Sequence, residues 1–91
     1  MKKQILSFLF ALFVANSVFA QQKEAAQKLI EEGIAYHDKG DYAGAIDKYD
    51  KALELDKDNM VALAEKAYSL LSLQKYEESI SCCKKAIEIH P

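Results

Sequence analysis

Apolar residues recur at helical spacing along most of this chain. From about Gln22 to Lys39 they fall at Ala26, Leu29, Ile30, Gly33 and Ile34, with Ala35 and Tyr36 widening the face. Glu24, Lys28, Glu31, Glu32 and Asp38 take the opposite side. Gly40 follows, a residue that accepts positive φ and commonly closes a helix. Asp41 is placed to cap a second helix over Tyr42–Leu55, whose inward residues are Ala45, Ile46, Tyr49, Ala52 and Leu53. A polar turn, Asp56-Lys57-Asp58-Asn59, leads to a third and more apolar helix over Met60–Leu73. After Gln74-Lys75 a fourth helix is expected over Tyr76–Ile89, with Ile80, Cys83, Ala86, Ile87 and Ile89 inward. Breaks this short force adjacent helices to run antiparallel.

The third and fourth segments echo the first and second. A shift of 34 residues places Leu29, Glu31, Tyr42, Ile46, Lys51, Ala52 and Glu54 on Leu63, Glu65, Tyr76, Ile80, Lys85, Ala86 and Glu88. Those are seven identities among the 32 pairs that the shift aligns. A fixed period of this size marks a repeat architecture.

Ahead of the repeats stand Met1, Lys2 and Lys3, then an apolar run from Ile5 to Ala15 broken only by Ser7, then Asn16-Ser17-Val18-Phe19-Ala20. A basic head, a short apolar run and a small final residue describe a secretory signal peptide. Residues 1–20 are therefore expected to be a leader cut after Ala20, and residues 21–91 the folded domain. The short dilysine head looks bacterial, so the expected location is the periplasm or outside the cell. Membrane contact is expected only through the leader during export.

The part after Ala20 has 71 residues, ten lysines, fourteen carboxylates and no arginine. A mildly acidic, arginine-free domain is a poor partner for a phosphate backbone, so no nucleic acid is expected.

These residues resemble the tetratricopeptide repeat, a helix–turn–helix unit of about 34 residues. Leu29, Gly33, Tyr36, Tyr42, Ala45, Tyr49 and Ala52 fit its pattern in the first unit, 26–59. Leu63, Ala67, Leu70, Tyr76, Ser79, Cys83, Ala86 and Pro91 take the corresponding places in the second, 60–91. Glu32 and Lys66 occupy a slot usually held by leucine, Lys57 replaces a proline, and Cys83 is smaller than the usual aromatic. The resemblance implies an all-α fold: two helix–turn–helix hairpins, four antiparallel helices, forming a short right-handed solenoid segment. Small residues, Gly33 against Ala45 and Ala67 against Ser79, would let the helices of each hairpin approach closely.

The resemblance also implies a non-catalytic module that binds a protein or peptide in a concave groove. By matching positions the groove residues are Gln27, Ile30, Ile34 and His37, with Val61, Ala64, Tyr68 and Leu71. One subclass of the family grips a terminal carboxylate with Lys, Arg and Asn at such positions. Ile30, Ile34, Ala64 and Tyr68 stand there instead, which rejects that clamp and makes the groove apolar. The alternative is a structural role, in which these residues pack on further repeats or a second copy.

No residue cluster points to an enzyme. His37 and His90 are far apart in sequence and have no partner at metal-ligand spacing, so no metal and no cofactor are expected. Glu31, Glu32, Glu77 and Glu78 read as solvated helix faces. Adjacent Cys82 and Cys83 are too close to bridge one another. Cys83 is expected inward, and Cys82 partly exposed and able to link two molecules. Ile80, Ile87 and Ile89 repeat the face that Ile46, Leu53 and Leu55 bury against the second unit, so they are expected to meet a further repeat of a longer protein or a second copy of the chain.

Overall fold

The computed structural model describes the backbone of residues 2–90, with side chains from Asn16 onward. The side chains of the leader's basic head and of Ile5–Ala15, together with Pro91, lie outside the described residues. Four helices follow in order: α1 (Lys2–Asp38), α2 (Tyr42–Leu55), α3 (Met60–Ser72) and α4 (Tyr76–Ile89). The all-α fold of two helical hairpins is as the repeat predicts. The bounds of α2 and α4 coincide with the periodic segments, and α3 ends one residue before Leu73.

The first helix differs. It was expected to begin near Gln22, yet α1 runs for 37 residues without a break at Ala20. The reason is local. The chain's glycines sit at 33, 40 and 44 and its proline at 91, so nothing between Asn16 and Gln22 interrupts helical hydrogen bonding. Among the described residues, no helix is long and apolar enough to cross a membrane.

The two hairpin turns share one hydrogen-bond pattern. Asp41 N–H donates to the Tyr36 carbonyl and Gly40 N–H to His37, each at 2.9 Å; 34 residues on, Lys75 N–H donates to Leu70 and Gln74 N–H to Leu71 at the same distance. This crossed pair of bonds closes a helix through one left-handed residue. Gly40 takes that conformation at φ 83°, and Gln74 takes it at φ 64° despite its side chain.

The core lies where α1, α2 and α3 meet. Ala26, Ile30, Ala45, Tyr49, Ala52 and Ala62 form one fully buried cluster, with Leu29, Ile34 and Leu53 packed on it. Leu63, Ala67 and Leu70 bury the inner face of α3, whereas α4 contributes only Ser79. Small residues do bring the helices together, though not wholly in the expected pairs. A Cβ on Gly33 would come within 2.8 Å of Tyr49 Cδ1 and 2.9 Å of Cζ, so the glycine makes room for the Tyr49 ring and not for Ala45. In the second hairpin Ser79 Oγ donates to the Ala67 carbonyl at 2.8 Å, which does require close approach.

Candidate functional site: the groove between α1 and α3

Helical spacing sets one row of α3 on the surface. Val61, Tyr68 and Leu71 are 51%, 57% and 49% exposed, and Ala64 is exposed between them. The opposite side of α3 supplies Ala62, Leu63, Ala67 and Leu70 to the interior, so packing on α1, α2 and α4 fixes the outward row. These four residues form the α3 wall of the groove.

The α1 wall is less apolar than its sequence implies. Ile30 is fully buried and drops out of the groove lining, because its place in the three-helix junction beside Tyr49 satisfies it better than solvent would. Ile34 is half-buried and packed on the same cluster. Gln27 is exposed, and its Nε2 reaches Glu31 Oε1 at 3.4 Å. His37 closes the end of the wall and joins it to α3. Its Nδ1 shares a 2.8 Å hydrogen bond with Ser69 Oγ. Its ring meets Tyr42 edge-on, with centroids 4.8 Å apart, and leans on Tyr68 at 4.5 Å. His37, Tyr42 and Tyr68 thus form one aromatic floor drawn from three helices.

Ser69 is a residue that periodicity did not single out. It stands where the first unit has Ala35 and is fully buried. Its polarity on an otherwise inward face is the signal that could have found it, since a buried hydroxyl needs a partner. Below it, the Tyr49 hydroxyl is buried and makes no hydrogen bond. Burial pushes its pKa up to about 12, and the charge of Glu65 adds to the rise; the Ser69 hydroxyl, which pulls the other way, is engaged with His37.

Charged residues at the leucine slots are paired across helices. Lys48 Nζ lies 3.0 Å from Glu32, and Lys66 Nζ lies 2.6 Å from Asp50. The hydrogen bond to Glu32 and then its charge raise the Lys48 pKa. Cys82 and Cys83 are both free; Cys82 is half-buried, in keeping with the partial exposure expected, whereas Cys83, expected inward, is exposed. Burial raises the Cys82 thiol pKa against the pull of Lys66, which leaves little reactive thiolate. Among the described residues, no three His, Cys, Asp or Glu side chains gather as metal ligands do. A shallow depression at the α3–α4 turn, lined by Gln74, Lys75, Tyr76, Glu77 and Glu78, lies apart from the groove.

Two antiparallel hairpins stacked in register, with a row of α3 side chains turned outward beside α1, define a helical repeat scaffold. Family models described as TPR repeat and tetratricopeptide repeat match residues 33–71 and 62–91. The chain belongs to the tetratricopeptide repeat family. It is 39% identical over 71 residues to the Protein STIP1 homolog of Dictyostelium discoideum, covering 75% of this chain and 13% of that protein. It is 42% identical over 64 residues to the Hsp70-Hsp90 organizing protein of Triticum aestivum, covering 70% and 11%. The Small glutamine-rich tetratricopeptide repeat-containing protein of Dictyostelium discoideum is 36% identical over 76 residues, 84% of this chain and 23% of that protein. The chain thus spans less than a quarter of the length of these relatives. Among solved structures, the first TPR of Spaghetti (RPAP3) bound to the HSP90 peptide SRMEEVD superposes with a TM-score of 0.73 at 31% identity, over 75% of this chain and 54% of that one.

These relatives correct the expected location. They come from an amoeba and a cereal plant, and the plant protein is named as an organizer of Hsp70 and Hsp90, which points away from a bacterial periplasmic or secreted protein.

Proposed function

We propose that this chain is a non-catalytic module that holds a protein or peptide segment in the groove between α1 and α3. The observation carrying this reading is the exposed row Val61, Ala64, Tyr68 and Leu71 beside the His37 floor. Apolar anchors at this spacing are what a helix or extended segment needs from a groove. Relatives named for organizing Hsp70 and Hsp90, and a neighbour with a peptide bound, support it. The terminal-carboxylate clamp is not part of the proposal, because Ile34, Ala64 and Tyr68 offer no cation and Ile30 is out of reach.

Tyr68→Asp and Leu71→Asp in the full chain test the reading. Both side chains are exposed, so the expected outcome is an unchanged helical circular dichroism spectrum with loss of the partner that the unaltered chain retains. Retention of the partner by both variants would sink the proposal.

A second reading, an assembly element, rests on α4. Ile80 and Ile87 are 53% and 63% exposed and Tyr76 is exposed beside them, while Ile89 is half-buried. Sedimentation equilibrium is expected to show self-association that Ile80→Lys with Ile87→Lys removes. A monomer at high concentration would exclude it.

A further inference from the structure

The charge pattern around the groove identifies the chemistry of its occupant. On α1, Glu31 and Asp38, which periodicity set opposite the apolar face, run with Gln27 and Ile34 at spacings of three and four along the edge of that face toward the groove. The contact between Gln27 and Glu31 places those two side by side on that strip. On α3, Glu65 is half-buried one turn before Ser69, whose hydroxyl meets His37 of α1. Glu65 therefore faces α1 across the groove.

One lysine, Lys23, stands on this strip, one turn before Gln27 at its N-terminal end. Lys48 and Lys66 are held by Glu32 and Asp50 where α2 packs on α1 and on α3, and Lys51 pairs with Asp47 along α2. Lys28 is exposed and stands one turn before both Glu31 and Glu32. The groove thus combines an apolar, aromatic floor with three carboxylates, Glu31, Asp38 and Glu65, against one lysine, Lys23, at the N-terminal end of the α1 strip.

We propose that the groove takes a cationic amphipathic peptide segment, with apolar residues at helical spacing flanked by Lys or Arg. This rests on the groove reading above and deepens it. The long stems of such cations cover Val61 and Leu71 while their heads reach Glu31, Asp38 and Glu65. A guanidinium or ammonium over Tyr68 gains a cation–π contact as well. An acidic segment such as SRMEEVD, the peptide held by the structural neighbour, meets like charges here, and like-charge juxtaposition is strongly unfavourable. The acidic rim equally disfavours anionic lipid and nucleic acid.

The test uses the full chain and labelled peptides with one set of apolar residues at i, i+3 and i+7, flanked by Lys, Gln or Glu, read by fluorescence anisotropy. The Lys peptide is expected to bind on the order of tenfold tighter than the Glu peptide, with the advantage shrinking as salt is raised. Glu65→Gln is expected to weaken the Lys peptide severalfold and leave the Gln peptide unchanged. If all three peptides bind equally and all are lost in Tyr68→Ser, the groove reading stands and the charge inference falls. If Tyr68→Ser with Leu71→Ser leaves the binding of every peptide unchanged, or no peptide binds, the groove reading falls and takes the charge inference with it.

Discussion

Tyr49 fills the junction of α1, α2 and α3, and Gly33 is the residue that lets it. Alanine at Gly33 would favour the helix by roughly 1 kcal/mol. The added methyl, however, meets a buried ring whose neighbours are already close-packed, and overpacking costs about 1–3 kcal/mol. Gly33→Ala is therefore expected to lower the urea midpoint, and Gly33→Ala in a Tyr49→Leu background to lose less or gain. The phenol itself makes a second expectation. Its pKa rises from 10.0 to about 12 on folding, so between those values the folded state keeps a proton that the unfolded state has released. Stability must then fall as pH climbs through that window. Tyr49→Phe removes both the titration and an unpaired buried hydroxyl. Melting temperature at neutral pH is expected to hold or rise, and its decline above pH 10 to become shallower. None of this was legible from periodicity. The pattern places Tyr49 inward but cannot say which small residue receives it, because Gly33 on α1 and Ala62 on α3 both face α2.

At the level of elements, the two units act as controls for one another. Asp41 caps α2 by accepting from Gly44 N–H at 2.9 Å, and Asn59 caps α3 by accepting from Ala62 N–H at 3.0 Å. Lys75 holds the same place before α4 and makes no side-chain cap. Its backbone, at φ −89° and ψ 71°, nearly matches Asp41 at φ −89° and ψ 76°. Lys75→Asp is thus expected to seat a cap without rearrangement and to stabilise the protein by about 1 kcal/mol, measured by chemical denaturation. No gain would mean that the first turn of α4 is held by something other than its cap. Helix bounds were readable to within a residue wherever a cap or a left-handed turn residue marked them, as at Gly40, Asp41 and Asn59. The start of α1 was not, since no such mark exists between Asn16 and Gln22. The groove was legible on α3, where Val61, Ala64, Tyr68 and Leu71 have no competing neighbour. On α1 it was legible only in part, because Ile30 and Ile34 are drawn into the three-helix core. The ion pairs at Glu32 and Lys66 show a further limit. Each looked like a lost leucine, and each has a partner on α2 that sequence spacing does not reveal.

Across the whole molecule the helices form a shallow stack measuring 61 × 28 × 14 Å. The radius of gyration is 17.2 Å, against about 12 Å for a compact chain of this length. The long axis follows α1, whose 37 residues span about 55 Å at helical rise. In such a stack each helix is covered only by its neighbours, and the cover is uneven. The core cluster draws on α1, α2 and α3, while α4 packs on α3 and buries Ser79 alone. The protein therefore has no single stability. Its last helix can detach while the junction around Tyr49 stays closed, and native-state hydrogen exchange should resolve the two events. Amides of α4 are expected to exchange through a low-energy local opening insensitive to Gly33→Ala. Those of α1, α2 and the inner turns of α3 should exchange only through a larger, cooperative opening. Equal protection along all four helices would show that α4 is fastened by contacts beyond its own hairpin. A chain with this gradient can exchange what lies against its fourth helix without disturbing what its groove holds.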